Sequence, residues 1–234
     1  DSIQKLELNI LEKSGNYFEI LEISAEKCRK DANLRPGFIF SDLAAWLQQN
    51  HAIQTRLMPT NVMGSMLRQF DFHRNRILLS EAMPEEQRLF QLGVQIALVS
   101  CQPEIDTIIA GAGLENSEST NLLKMTLSNY FSACLMMPYD NFLAAAQETK
   151  YDLEQLSNKF GASFEQICHR LTTLNRPGAR GIAFFFLRVD EAGHISKRLS
   201  GGGVEFAKYG GSCSRWIPHH AFRTPEQIQV QFAE

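Results

Sequence analysis

The sequence predicts an α+β protein, mostly helical, with a small antiparallel sheet. Three observations carry this. Long stretches place apolar residues at helical spacing, Pro and Gly punctuate them where helices start and stop, and beyond residue 175 short alternating segments rich in aromatics and glycine take over. With 234 residues, 44% of them hydrophobic, the chain can bury one good core, or one core and a small appendage.

Taken in order, residues 3–33 read as two helices broken at Ser14-Gly15-Asn16, with Leu6, Ile10, Leu11, Phe18, Leu21 and Ile23 as the apolar positions. Pro36-Gly37 interrupts the chain, and Phe38, Phe40, Leu43, Ala44 and Leu47 then mark an amphipathic helix announced by Ser41-Asp42. Residues 51–58 alternate as a strand does, and 76–79 form a second strand after a turn at 71–75. Pro84 opens the most regular helix, because a missing amide is tolerated there and Glu85-Glu86 complement the helix dipole; Phe90, Val94, Ile96, Ala97 and Leu98 are its inward side. A short helix over 104–113 ends in glycines, and an apolar helix over 120–137 is closed by Pro138. Three more follow over 141–149, 152–160 and 163–174, the last capped by Ser163. Residues 182–189, with Phe184-Phe185-Phe186, read as a buried strand that turns at Glu191-Ala192-Gly193 into a strand over 194–199.

Charge and composition narrow the function. A net charge of -3 argues against a surface that clings to nucleic acid as a whole, so any DNA contact is local or lies elsewhere. No apolar run is long enough to span a membrane and the first residues show no secretory signal, which points to the cytoplasm and to no membrane partner. Cys28, Cys101, Cys134, Cys168 and Cys213 are scattered and mostly flanked by apolar residues; they read as small buried hydrophobes in a reduced compartment. His169, His219 and His220 lack the accompanying carboxylates or thiols that a metal site needs. Gly201-Gly202-Gly203 and Gly210-Gly211 lack the helix and the Lys-Ser/Thr partner of a phosphate loop, and residues 151–174 read as a helical hairpin in the core rather than as a DNA-reading pair, since Phe164, Glu165 and Gln166 open the second helix.

A strand ending in Ser80-Glu81, a short Pro-containing turn and a helix beginning Glu85-Glu86-Gln87-Arg88-Leu89-Phe90 together resemble the zinc peptidases of the ImmA/IrrE type. In that family the helix carries H-E-x-x-H, two imidazoles one turn apart on a single metal. Here those positions read Val94-Gln95-Ile96-Ala97-Leu98, and Leu127 stands where the family has its acidic ligand, ahead of Asn129-Tyr130-Phe131-Ser132-Ala133-Cys134-Leu135-Met136-Met137-Pro138. Hydrocarbon offers a metal no lone pair, and a Gln amide does not titrate and cannot serve as a general base. The resemblance thus implies a zincin-like scaffold that has lost its metal and is not an enzyme.

The later half, including Phe142-Leu143-Ala144-Ala145-Ala146, Phe160-Gly161-Ala162-Ser163-Phe164-Glu165-Gln166, Cys168-His169-Arg170-Leu171-Thr172-Thr173-Leu174 and Arg176-Pro177-Gly178-Ala179-Arg180-Gly181, is similar to the short-chain fatty acyl regulator family. That resemblance implies a cytoplasmic transcription factor, a homodimer, that controls acetate, propionate and methylcitrate metabolism with acyl-CoA as effector. It implies residues 1–35 as a helical segment following an absent DNA-binding helix-turn-helix, 36–175 as the degenerate ImmA/IrrE-like domain, and 176–234 as a β-rich continuation. The cysteine-rich region associated in the family with an iron–sulfur site would lie beyond Glu234, leaving no cofactor within the chain.

A CoA ester needs guanidinium forks for its phosphates and an aromatic or aliphatic wall for its ring. Arg170, Arg176, Arg180, Arg188, Lys197 and Arg198 cluster in sequence around the phenylalanine strand. Arg176, Arg180, Lys197 and Arg198 are candidates for the phosphates, with Arg170 beside them and Arg88 added because anions favour helix N-termini. Tyr130, Phe131, Tyr139 and the phenylalanine strand are candidates for the wall, and the vacated metal positions Val94, Leu98 and Leu127 for a short acyl chain. The bland alternative is a solvated charged face beside a core strand. The rival functions are an ImmA/IrrE-type peptidase and a ligand-free interaction module.

Overall fold

In a computed structural model, the structure describes residues 10–201 apart from 115 and 193, together with 221–224 and 227. A helical turn at 10–13 leads through Gly15 and Asn16, both at left-handed backbone angles, into α1 (Glu19–Asp31). Glycine adopts that angle freely and asparagine more readily than most side chains, so the expected break between two helices falls there. Next comes α2 (Ile39–His51), whose chain reverses at Ala52 (φ 54°) to enter β1 (Gln54–Met58). A short helix, α3 (Thr60–Met63), and two strands, β2 (Arg68–Asp71) and β3 (Arg76–Ser80), follow.

The three strands form a sheet of order β1-β3-β2. β3 pairs with β1 in parallel, Gln54 opposite Arg76 and Met58 opposite Ser80, and with β2 antiparallel, Arg68 opposite Leu79 and Asp71 opposite Arg76. This sheet is therefore mixed, and the sequence marks neither α3 nor β2. Ile77 and Leu79 are fully buried and Leu78 nearly so, as a central strand covered on both faces requires. The β2–β3 hairpin is held by Asp71, which accepts from the Arg74 amide at 3.2 Å and from Arg76 Nε at 2.9 Å.

Pro84 then starts α4 (Glu85–Ser100), α5 (Gln102–Ala112) follows with Pro103 in its first turn, and α6 (Ser117–Met136) begins at Asn116, whose side chain accepts from the Glu118 amide. At 20 residues α6 is about 30 Å long. It is the axis of the core, packed most extensively against α4 and then α1, with Leu123, Leu127, Phe131 and Leu135 buried along it. α7 (Tyr139–Glu148) follows Pro138, and α8 (Leu153–Phe160) is capped by Asp152 and stopped by Gly161. α9 (Phe164–Leu171) opens on a full capping box, the Ser163 side chain accepting from the Gln166 amide and the Gln166 side chain from the Ser163 amide.

A separate antiparallel ribbon, β4 (Phe185–Val189) with β5 (Ile195–Ser200), closes the described chain on that side. β4 is not the buried strand its phenylalanines suggested: Phe185 is 46% exposed, because a two-stranded ribbon has only one covered face. Phe184 packs against Tyr151 and Phe186 against His169. Cys28, Cys101 and Cys134 are buried. Burial first of all pushes the Cys28 and Cys101 thiols up, to about 12 and about 11, so these two stay protonated and pack as small hydrophobes. Cys213, His219, His220, Gly202, Gly203, Gly210 and Gly211 lie outside the described residues.

Candidate functional site

The positions that would ligate zinc in the peptidases sit where α4 crosses α6. Val94 is 1% exposed and Leu127 fully buried, while Leu98 is half-buried. At the crossing the helices touch: a Cβ added to Gly93 would stand 2.3 Å from Ser132 Oγ, and that hydroxyl donates to the Phe90 carbonyl at 2.6 Å. Gln95, also buried, accepts from Arg68 Nη1 at 3.0 Å. Three hydrocarbon side chains and an amide already engaged do not make a donor set for zinc, and no chemical step is assigned to a metal. Among the described residues no three His, Cys, Asp or Glu side chains gather in a way that would hold an ion. Val94 and Leu127 are buried, and neither lines the cleft described next.

That cleft, of about 1250 Å³, lies between the start of α4, the exposed side of α6, α9, the β4–β5 ribbon and the turn at Leu11 to Asn16. Phe90, Leu122, Tyr130, Ala133 and Leu199 give it apolar surface; Arg188, Lys197 and Arg198 bring positive charge from the ribbon. Of the residues singled out from sequence as ligand-binding, the cleft gathers Tyr130, Arg170, Lys197 and Arg198.

The remaining five stand elsewhere. Phe131 is fully buried in the core. Tyr139 is buried too, its hydroxyl donating to the Ala179 carbonyl at 2.9 Å and accepting from the Arg176 amide at 2.8 Å. Arg176 stacks 4.2 Å over the Tyr139 ring and pairs with Asp140, which fixes the loop after α9 rather than presenting a free fork. Arg180 is exposed. Arg88 is half-buried with its Nε unpaired. Sequence proximity grouped Arg176 and Arg180 with the ribbon cations; the turn at residues 176–181 carries them away.

Within the floor, Arg170 is wholly buried and its donors are committed. Nη1 and Nη2 grip both oxygens of Glu22 on α1 at 2.6 and 2.9 Å, Nε donates to the Met137 carbonyl at 3.0 Å, and Nη1 also donates to Thr173 Oγ1 at 3.1 Å. Tyr130 donates its hydroxyl to Glu22 at 2.8 Å and accepts from the Phe18 amide at 3.2 Å. Burial by itself would raise the Glu22 carboxyl, but the charge and hydrogen bonds of Arg170 outweigh it and hold the group below its ordinary range. A buried pair of this kind is viable only with its remaining lone pairs and protons satisfied, as here. Arg170 thus ties α1 to α9 beneath the cleft. No sequence signal could have found Glu22, which is 148 residues away.

At the rim, His169 sits one residue before Arg170 yet faces the cleft. Its Nδ1 lies 3.4 Å from Lys197 Nζ and its Nε2 3.2 Å from Glu165 Oε1, the latter contact too poorly aligned to be a hydrogen bond. Glu165 in turn accepts from Arg188 Nη1 at 3.1 Å. Burial, then Lys197, then Arg188 push the imidazole down to about 3, so it is neutral at physiological pH. In the sequence His169 stands out as a histidine and Arg188 as one of the basic residues; Asn129 stands out only as part of the segment ending at Pro138, and Gln91 and Thr126, which also line the cleft, carry no signal.

Fold and site together define a peptidase-like helical scaffold with hydrocarbon at its ligand positions and a basic, partly apolar cleft beside them. Residues 48–172 match the IrrE N-terminal-like domain, and residues 173–234 match the C-terminal region of the short-chain fatty acyl coenzyme A regulators. The HTH-type transcriptional regulator PrpR of Mycobacterium tuberculosis is 35% identical over 220 residues, covering 94% of this chain and 45% of that protein. The propionyl-CoA carboxylase regulator of Cereibacter sphaeroides is 36% identical over 219 residues, 94% of this chain and 46% of that protein. A solved structure of a Mycobacterium tuberculosis transcriptional regulator superposes with a TM-score of 0.93 at 33% identity, over 99% of this chain and 70% of that one. The chain belongs to the short-chain fatty acyl coenzyme A regulator family and carries its IrrE-like domain. It spans about half the length of the curated relatives it matches.

Proposed function

We propose that this chain is the effector-binding part of a cytoplasmic transcriptional regulator of short-chain fatty acid metabolism, and that the effector is an acyl-CoA of the acetyl or propionyl class, held in the cleft. The observation that carries the reading is the pairing, in one cleft of about 1250 Å³, of cations from the ribbon with apolar surface from α4 and α6. Lys197 and Arg198 serve the phosphates; Phe90, Tyr130 and Ala133 face the apolar end. The family's name and the printed name of the propionyl-CoA carboxylase regulator support the same choice.

Regulation follows from the floor. A ligand that binds one arrangement of the cleft better than another shifts the balance between them. Arg170 and Tyr130 both line the cleft and both hold Glu22, so such a shift reaches α1 and, through it, a DNA-binding part preceding this chain in a homodimer. DNA is thereby a partner of the whole regulator, and an iron–sulfur cluster belongs to a region after residue 234. The ligand does its work by binding, and the chain is no enzyme. Calorimetric titration with propionyl-CoA, set against free propionate, tests this. Saturable heat and thermal stabilisation with the ester alone are expected; neither appearing with any CoA ester would overturn it.

A further inference from the structure

Among the charged groups around the cleft, His169 has no place in a purely ionic account of phosphate binding. We infer that His169 is a proton-coupled positioning residue for the anionic end of the ligand: neutral while the cleft is empty, it takes up a proton when phosphate occupies the rim, so that binding tightens as pH falls. The inference rests on the acyl-CoA reading of the cleft.

The imidazole stands between a lysine and a carboxylate. Lys197 on β5 stands 3.4 Å from Nδ1, which as a lone pair accepts from the ammonium. The ring proton is then on Nε2, on the side of Glu165, one turn earlier on the same helix. Arg188 on β4 reaches Glu165 rather than the imidazole, and Phe186 meets the ring edge-on at 4.5 Å. Across the cleft stand Glu12, 3.5 Å from Arg198, and Glu86 at the start of α4; Arg170, next in sequence, is committed to Glu22. Burial first, and then the two cations, keep the imidazole neutral in the empty cleft. A phosphate group that draws Lys197 and Arg188 to itself removes both and adds an anion, and all three changes favour imidazolium. Nδ1–H then replaces Nδ1 as a lone pair, becoming a donor to phosphate where it had been an acceptor from lysine. Lysine and histidine thus exchange an internal contact for two contacts to the ligand.

The probe is dephospho-propionyl-CoA, whose pyrophosphate, unlike the phosphomonoester of CoA itself, does not titrate near neutrality. Calorimetry in two buffers of different ionisation enthalpy reads proton uptake directly. Net uptake is expected, with affinity rising about tenfold from pH 8 to pH 6, within the ceiling of about tenfold per pH unit that uptake of one proton sets. The His169 ring resonances, neutral without probe through this range, are expected to shift to the protonated form with it, and His169→Asn to abolish the tenfold gain. Binding without proton uptake, or a pH dependence unchanged in H169N, would overturn this inference and leave the acyl-CoA reading standing. No binding of the probe or of propionyl-CoA at any pH would overturn both.

Discussion

Two consecutive residues on α9 live in opposite electrostatic surroundings. Arg170 is fully buried, and Glu22, Met137 and Thr173 accept from its guanidinium. His169 is partly open, with one ring nitrogen beside a lysine and the other unpaired. The difference separates what the fold needs from what a ligand can change. Satisfied buried charge joins α1 to α9 as one unit beneath the cleft; at the rim, one ring nitrogen of His169 makes no hydrogen bond.

The largest effect is expected from breaking the floor. Glu22→Gln leaves the Arg170 charge buried without its counter-ion and is expected to lower stability by about 3–5 kcal/mol in denaturant unfolding, whereas replacing Glu22 and Arg170 together by apolar residues recovers most of it. A cost under about 1 kcal/mol for E22Q would dissolve the distinction between floor and rim. At the rim the loss falls on binding instead. Lys197→Ala is expected to weaken propionyl-CoA by about 1.5–3 kcal/mol, the worth of a charge-assisted hydrogen bond, with stability changed by about 0.5 kcal/mol at most.

Next in size is the α4–α6 contact. Gly93→Ala places a methyl 2.3 Å from Ser132 Oγ and 3.2 Å from Ser132 Cα, an overpacking expected to cost about 1–3 kcal/mol and to be relieved by Ser132→Gly. Taken per pH unit, the smallest effect is the pH slope. Because folding depresses His169 from 6.5 to about 3, the unfolded chain binds the proton first. The stability this residue contributes is complete above pH 6.5 and is lost as pH falls toward 3, at up to about 1.4 kcal/mol per pH unit. H169N is expected to flatten that limb in unfolding curves. Glu22, whose carboxyl is also depressed, adds its own loss once pH falls below the ordinary carboxylate range.

Much of the helical frame was legible because its signals are local. Pro84, Pro138, Asp152 and Ser163 start helices through their own backbone geometry or side chains, and Gly161 stops one through its φ of 58°. The sheet was less so: the parallel pairing of β1 with β3 is decided by what covers Ile77 and Leu79, and the four residues of β2 alternate too briefly to register. At the site, sequence neighbours were poor guides. The ribbon kept Lys197 and Arg198 in the cleft while the turn after α9 removed Arg176 and Arg180, and the partner that defines Arg170 arrives from α1. That Val94, Leu98 and Leu127 are hydrocarbon is read from the sequence directly; that Val94 and Leu127 are buried is what the structure adds.

The central claim is that a ligand occupies the ribbon-side cleft and not the old metal position. A structure of the chain with propionyl-CoA tests it most directly. Phosphates within hydrogen-bonding distance of Lys197 and Arg198, with the thioester toward Phe90 and Tyr130, are what the account expects. An acyl group or a divalent ion lodged between Val94 and Leu127, with the cleft empty, would contradict it.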